Sequence, residues 1–220
     1  MTRPDSWRVL SLQELAAELG DRAGRDQHPV GLIAVDGHSA SGKTTLARRL
    51  ATALPHAAVL HSDDLAWHHS LFDWRELLVD GVLRPMRAGQ VVDYRPPPWV
   101  ERGRSGSIQL PAGTQIVILE GVGASRRDLA DLVDAAVWVE TDEPERARRD
   151  EERIAAGEVT REVYESWMAV ENPFIAADRP WTRADVIVAG NSPLPHDPVH
   201  QVVVSRRPGD RTGGDRVLLH

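Results

Sequence analysis

A short apolar run that ends in glycine is the feature that most narrows what this chain can fold into. Pro29 precedes Val30, Leu32, Ile33, Ala34 and Val35, a near-continuous hydrophobic stretch of the kind a strand shows when both its faces are covered. The run leads into Gly37-His38-Ser39-Ala40-Ser41-Gly42-Lys43-Thr44, followed by Thr45, and a helix is predicted over 46–54. The octet fits G-x-x-x-x-G-K-S/T in the strand-loop-helix setting that gives the pattern physical meaning. Glycine permits a tight turn in which successive N–H groups converge on phosphate oxygens, and the helix N-terminus adds partial positive charge.

The rest of the chain continues the alternation. Ala57, Ala58, Val59 and Leu60 predict a second strand that ends at His61, Ser62, Asp63 and Asp64. Further buried strands are predicted over 116–119, 135–139 and 184–188, with helices over 125–133, 144–157 and 160–170. Leu10, Leu12, Leu15, Ala16 and Leu19 recur at roughly helical spacing and stop at Gly20, which predicts an opening amphipathic helix. Short strands separated by helices imply an α/β fold, a doubly wound and mostly parallel sheet with flanking helices. Between residues 67 and 109 the pattern breaks at Pro85, Pro96, Pro97, Pro98, Gly103 and Gly106, which predicts short helices in a long irregular excursion. We expect one P-loop domain over residues 1–190, with a small helical lid at about 143–170, and a C-terminal extension over 191–220. In that extension residues 202–204 read as an edge strand, and residues 208–215, low in apolar side chains, as a mobile tail.

Composition sets the outer limits. With 220 residues, 41% of them apolar, the chain can bury one sizeable core. Its 33 acidic and 26 basic residues give a net charge of -7, which argues against the broad basic surface that a nucleic acid requires. The lack of cysteine excludes disulfides, thiolate catalysis and zinc-thiolate sites. No run reaches membrane-spanning length, and the N-terminal stretch with Asp5 and Glu14 reads as neither signal peptide nor anchor. The expectation is a cytoplasmic protein whose partner is a small molecule, with no nucleic acid and no membrane; a homo-oligomer is left open.

The loop and the strand-end acids form a coherent chemical set. Lys43 is placed to reach the β- and γ-phosphates of ATP, and the Thr44 hydroxyl to bind the Mg2+ that bridges them. Ile116, Val117, Ile118 and Leu119 lead into Glu120 and Gly121, which puts a carboxylate where the same metal would lie. In a doubly wound sheet the carboxyl ends of the strands share one crevice, so Asp63 and Asp64 belong there too. Arg146, Arg149 and Arg153 fall at i, i+3 and i+7 on one predicted helix face, flanked by Arg148. Charge pattern leaves that face open between phosphate binding and a solvated surface paired with Glu143, Glu145, Asp150, Glu151 and Glu152.

From about residue 30 to residue 190 the chain resembles the uridine kinase, nicotinamide riboside kinase and phosphoribulokinase group of P-loop kinases. The likeness is carried by the glycine-rich loop, His61-Ser62-Asp63-Asp64-Leu65, Asp73-Trp74, Tyr94-Arg95, Leu119-Glu120-Gly121 and Arg149-Asp150. It implies ATP held by Gly37, His38, Ser39, Ala40, Ser41, Gly42, Lys43, Thr44 and Thr45 with Arg146 and Arg153, and Mg2+ held by Thr44, Glu120 and Asp63. It further implies Asp63 as the base toward an acceptor hydroxyl, with Asp64 matching a second acid of the nicotinamide riboside kinases, and Lys43 and a lid residue, Arg149, as catalytic cations. Asp64, Trp74, Tyr94 and Arg95 are the candidate acceptor contacts. Trp67, Phe72 and Trp99, like Trp74 and Tyr94, either stack on a planar acceptor or cover a small core, and His61, His68 and His69 are either exposed polar residues or substrate contacts.

The activity so implied is transfer of the γ-phosphoryl group of ATP to a hydroxyl of a small nucleoside-like or sugar-like acceptor. Pro96, Pro97 and Pro98 stand where the uridine kinase pattern continues with a tyrosine and an acid, so uridine itself is not implied. The alternatives are a kinase of another small molecule, such as an antibiotic, vitamin precursor or nucleoside monophosphate, or a nucleotide-dependent regulatory ATPase. Trp167, Glu171 and Phe174, at near-helical spacing, read as mainly structural, as do Asp178, Arg179 and Arg183.

Overall fold

The structure of the chain is a computed structural model that describes residues 6–24 and 29–206; the tail expected over 208–215 lies outside the described residues. It opens with β1 (Arg8–Ser11) and α1 (Leu12–Ala23), whose first turn is closed by a capping box between Ser11 and Glu14. Next come β2 (Gly31–Gly37), α2 (Lys43–Ala53), β3 (Ala57–His61) and α3 (Ser62–Ala66). The excursion folds into α4 (Arg75–Leu78), a π-helical turn (Val79–Leu83), α5 (Arg84–Arg87), β4 (Val92–Tyr94), α6 (Pro97–Glu101) and β5 (Ile108–Leu110). β6 (Ile116–Glu120), β7 (Ala135–Glu140), α7 (Glu143–Ala155), α8 (Arg161–Asp178), β8 (Val186–Ala189) and β9 (Gln201–Ser205) follow.

Among the described residues seven strands form one sheet in the order β1-β9-β8-β7-β2-β6-β3, while β4 and β5 pair separately. β2 lies parallel to β6 and β7, β3 to β6, and β7 to β8; β9 runs antiparallel to β8 and β1. Alternate residues of β2 face opposite layers, which is why its run is apolar throughout. Ile33 and Val35 pack with Val137, Val139 and the inner faces of α1 and α2, including Leu15, Leu19, Leu46 and Leu50. Leu32 and Ala34 pack with Leu119, Leu65, Trp74, Leu78 and Leu83 on the other side. Each such side chain contributes roughly 1.5–3 kcal/mol by leaving water, so the sheet fixes where the strand ends, and the site built on them, must lie.

Several elements depart from the sequence expectation. Gly20 does not stop α1, because its missing side chain lets the helix pack on Leu54; a Cβ there would sit 2.9 Å from a Leu54 methyl. Leu10 belongs to β1 rather than to the helix. The helix predicted over 125–133 shrinks to one 3-10 turn, Arg127–Leu129. The segment is tethered to other elements instead: Asp36 holds the Ser125 N–H and hydroxyl, Asp178 accepts from the Arg127 N–H at 3.0 Å, and Asp134, just past it, accepts from the Leu32 N–H at 2.6 Å. β9 is not an edge strand, since Val202, Val203 and Val204 are buried between β1 and β8, and β1 forms the sheet edge. Among the described residues no helix is long and apolar enough to cross a membrane.

Candidate functional site

The loop between β2 and α2 is shaped by buried groups on both sides. Asp36, fully buried at the end of β2, accepts hydrogen bonds from the N–H groups of Gly37, Gly123 and Ser125 and from the Ser125 hydroxyl, at 2.7–2.9 Å. Burial holds its carboxyl above the ordinary aspartate value, and those four bonds oppose the rise without cancelling it. The pair of loops after β2 and β6 is therefore stitched through one carboxylate. Gly42 caps α2 in the left-handed region at φ +99°, where glycine carries no Cβ penalty. Ala40 is also left-handed, at φ +57°, a conformation that costs a residue with a Cβ on the order of 1–2 kcal/mol. Lys43 is 8% exposed, and its Nζ donates to the His38 carbonyl at 2.7 Å.

The strand-end acids converge beside this loop. The Thr44 hydroxyl lies 3.2 and 3.3 Å from the two Glu120 oxygens. His61, at the end of β3, sits with Nδ1 2.5 Å from Glu120 Oε1, so the residue whose role the sequence left open is a partner of the β6 acid. That hydrogen bond raises the imidazole pKa, with burial opposing it and the charges of Glu120, Asp64 and Asp63 adding to it. Asp63 and Asp64, side by side on α3, have different surroundings. Asp63 is exposed to the cleft, yet desolvation by the surrounding chain and then repulsion from Glu120 raise its carboxyl, against the pull of Lys43 and His61. Asp64 accepts from Arg104 at 2.7 Å, and that guanidinium lies 3.5 Å from the Trp99 ring centroid.

Helices α7 and α8 cover the loop. Asp142 caps α7 by accepting from the Glu145 N–H at 3.1 Å, which suits an acid at the positive end of a helix. Arg149 donates to the carbonyls of Ala40 at 3.0 Å and Gly190 at 2.9 Å, and to Glu145 at 2.9 Å. Arg146 Nε donates to the Thr141 carbonyl at 3.2 Å, Arg153 pairs loosely with Asp150 and Glu158, and Arg148 is exposed and paired with Glu145 and Glu152. Gly190 passes so close to the loop that a Cβ would strike the Ser41 carbonyl and the Thr141 hydroxyl. From α8, Glu171 reaches the loop at His38 and Ser39. Nothing in its sequence context marked it beyond helical spacing with Trp167.

These groups open onto one cleft of about 1240 Å³. Its lining includes Lys43, Thr44, Asp63, Glu120, Arg149 and Arg153, and an aromatic wall from Trp67, Tyr164 and Trp167. The remaining acceptor candidates lie elsewhere. Trp74 is 1% exposed; its ring packs under the Arg126 guanidinium at 3.8 Å and its Nε1 donates to the Leu71 carbonyl, so no face is free to stack on a ligand. Tyr94 is half-buried against the core of the excursion, and Arg95 is exposed and donates to the Arg104 carbonyl. Asp64, Trp74, Tyr94, Arg95 and Arg146 do not line the cleft. The excursion's aromatic residues divide accordingly: Trp74 and Trp99 build core, while Trp67 and His68 face the cleft.

Among the described residues no group of three or more His, Asp or Glu side chains forms a ready metal cage. The Thr44 hydroxyl, the Glu120 carboxylate and Asp63, which lines the same cleft, are hard oxygen donors. That set fits Mg2+, which takes few protein ligands and completes its shell with phosphate oxygens and water.

The sheet order, the parallel β2, β3, β6, β7 and β8, and the glycine loop between β2 and α2 define a P-loop α/β fold. No family model and no curated protein matches the chain. Among solved structures, the "putative fructose transport system kinase" of Silicibacter sp. TM1040 superposes with a TM-score of 0.51 at 20% identity, over 80% of this chain and 95% of that one. A "possible uridine kinase" of Bacillus stearothermophilus gives 0.51 at 21% identity, over 80% of this chain and 96% of that one. At such identities the likeness establishes a shared fold, the one that the motifs from residue 30 to residue 190 led us to expect.

Proposed function

We propose that the chain is a small-molecule kinase that transfers the γ-phosphoryl group of ATP to a hydroxyl of a small, nucleoside-like or sugar-like acceptor. The observation that carries this reading is the convergence of Lys43, Thr44, Asp63, Glu120, Arg149 and Arg153 on one cleft beside a P-loop. The kinase names of the two fold neighbours support it. Bound ATP would supply the phosphoryl group, and Mg2+ held by Thr44, Glu120 and Asp63 would offset its charge. Asp63 is the acid we assign as base: it opens to the cleft and its raised carboxyl suits proton acceptance, whereas Asp64 is committed to Arg104. Lys43, Arg149 and Arg153 are the cations available to the phosphoryl oxygens, and α7 with α8 would limit the access of water on closing over them.

The test is incubation of the purified chain with Mg2+, ATP and a panel of nucleosides, sugars and vitamin precursors, read by product mass. The reading expects one acceptor class to gain the mass of a phosphoryl group, with Lys43→Ala severely impaired. Slow ATP hydrolysis that no acceptor accelerates would instead indicate a regulatory ATPase.

A further inference from the structure

We propose that Glu171 is a positioning residue that holds the phosphate-binding loop in shape from outside it, an inference that rests on the nucleotide-binding reading of that loop. Glu171 lies on α8 and is 0% exposed. A carboxylate so buried must be fully partnered, and this one accepts from four donors. One oxygen faces His38 Nδ1 and the Ser39 N–H, each at 3.0 Å; the other faces the Ser39 hydroxyl at 2.7 Å and Trp167 Nε1. Trp167 Nε1 is also 2.8 Å from the Ser39 hydroxyl, so the indole braces the same contact. Burial works to raise the Glu171 carboxyl, and the bonds from His38 and Ser39 together outweigh it and hold it below its usual range. An ionised carboxylate alone satisfies this arrangement, because it accepts at both oxygens; the amide of glutamine would turn an NH2 group toward two donors.

What Glu171 grips is the segment that sets the cradle. Ala40, held left-handed at φ +57°, directly follows Ser39. Its conformation is pinned from two sides: Glu171 takes the Ser39 N–H and Arg149 donates to the Ala40 carbonyl. These contacts differ in kind. Arg149 is partly exposed and lines the cleft, so it is free to exchange the carbonyl for a phosphate, whereas Glu171 is sealed and remains. The His38 carbonyl that receives Lys43 Nζ belongs to the same gripped segment, so Glu171 also fixes where that ammonium rests. Val163, Tyr164 and Trp167, from the same helix, line the cleft, and the clasp therefore joins the cleft wall and the phosphate cradle into one unit.

Glu171→Gln in the full chain tests this by calorimetric titration with Mg2+ and ATP, with melting temperature and kcat and KM measured alongside. The dissociation constant for ATP is expected to rise about tenfold or more, as loss of charge-assisted hydrogen bonds at a preorganised site predicts, while the KM for the acceptor changes far less. A merely structural role lowers the melting temperature and leaves the affinity of the folded molecules unchanged, so equal ATP affinity in wild type and variant overturns the proposal. If Glu171→Gln fails to fold, Ser39→Ala removes one of the four donors and keeps the backbone. A smaller weakening of ATP affinity then supports the clasp, and no change overturns it. Wild-type chain that binds no ATP overturns the nucleotide reading itself, a result distinct from a wild type that binds and a variant that binds equally well.

Discussion

The phosphate loop and the excursion over residues 67–110 meet at the same cleft but are held by different forces. The loop contains almost no apolar surface; its shape comes from Asp36, which adjoins it, and from Thr141, Arg149 and Glu171, whose bonds reach it across 100, 109 and 132 residues of chain. The excursion is held by burial of Trp74, Leu78, Val82, Leu83, Met86, Val92, Trp99, Ile108 and Leu110. Directional bonds fix atoms within tenths of an ångström, as a cradle for phosphate needs, whereas apolar packing tolerates changes of shape that conserve volume. The contrast teaches that the loop end of the cleft is set rigidly by directional bonds while the excursion's side tolerates changes of shape that conserve volume.

Substitutions can break this comparison, and the largest effect is expected at Asp63, the proposed base. Asp63→Asn should lower kcat by about 10²–10⁴-fold in a steady-state assay, with Asp64→Asn, which disturbs the Arg104 pair, far milder. The reverse order would assign the base to Asp64. Lys43→Ala should cost about 10²–10³-fold in turnover with an unchanged melting temperature, because its removal leaves the apolar layers intact. Trp74→Ala should do the opposite, costing about 3–5 kcal/mol in denaturant unfolding as a buried aromatic is cut back, with ATP affinity of the folded fraction retained. Weakened ATP affinity there would mean that the two regions are not separable.

A subtler effect concerns pH. Glu171 titrates below the ordinary glutamate value of 4.5 in the folded chain. Its ionised form therefore stabilises the fold fully above that value, and the contribution is lost as pH falls through the lowered one. The stability gap between wild type and Glu171→Gln, followed by urea unfolding, should accordingly be widest near neutral pH and narrow below 4.5. Smallest of all, Arg148→Ala should leave turnover nearly unchanged, since Arg148 is exposed, does not line the cleft and forms only surface ion pairs.

How far the sequence could be read follows from the same contrast. The run from Val30 to Val35 and the octet after it were legible because strand burial and glycine geometry are local properties, and β2, the loop and α2 lie where they were expected. Glu120 and Asp63 were legible as strand-end acids. Glu171 was not, because its partners His38 and Ser39 are 133 and 132 residues away and nothing local distinguishes a clasp from a solvated glutamate. Trp74 misled for the complementary reason: an aromatic residue in an irregular stretch reads equally as a ligand platform or as core, and burial decides it. The short turn at Arg127–Leu129 shows the same limit, since the carboxylates that tether the segment, Asp36 and Asp178, lie far from it in sequence.

The central claim is that the cleft joins a donor and an acceptor, and phosphoryl transfer tests it most directly. With Mg2+, ATP and the hydroxyl panel, wild type should yield a phosphorylated acceptor and an equal amount of ADP, and Asp63→Asn should yield neither at a comparable rate. ADP formed at one slow rate with or without every acceptor, and equally by Asp63→Asn, would contradict it.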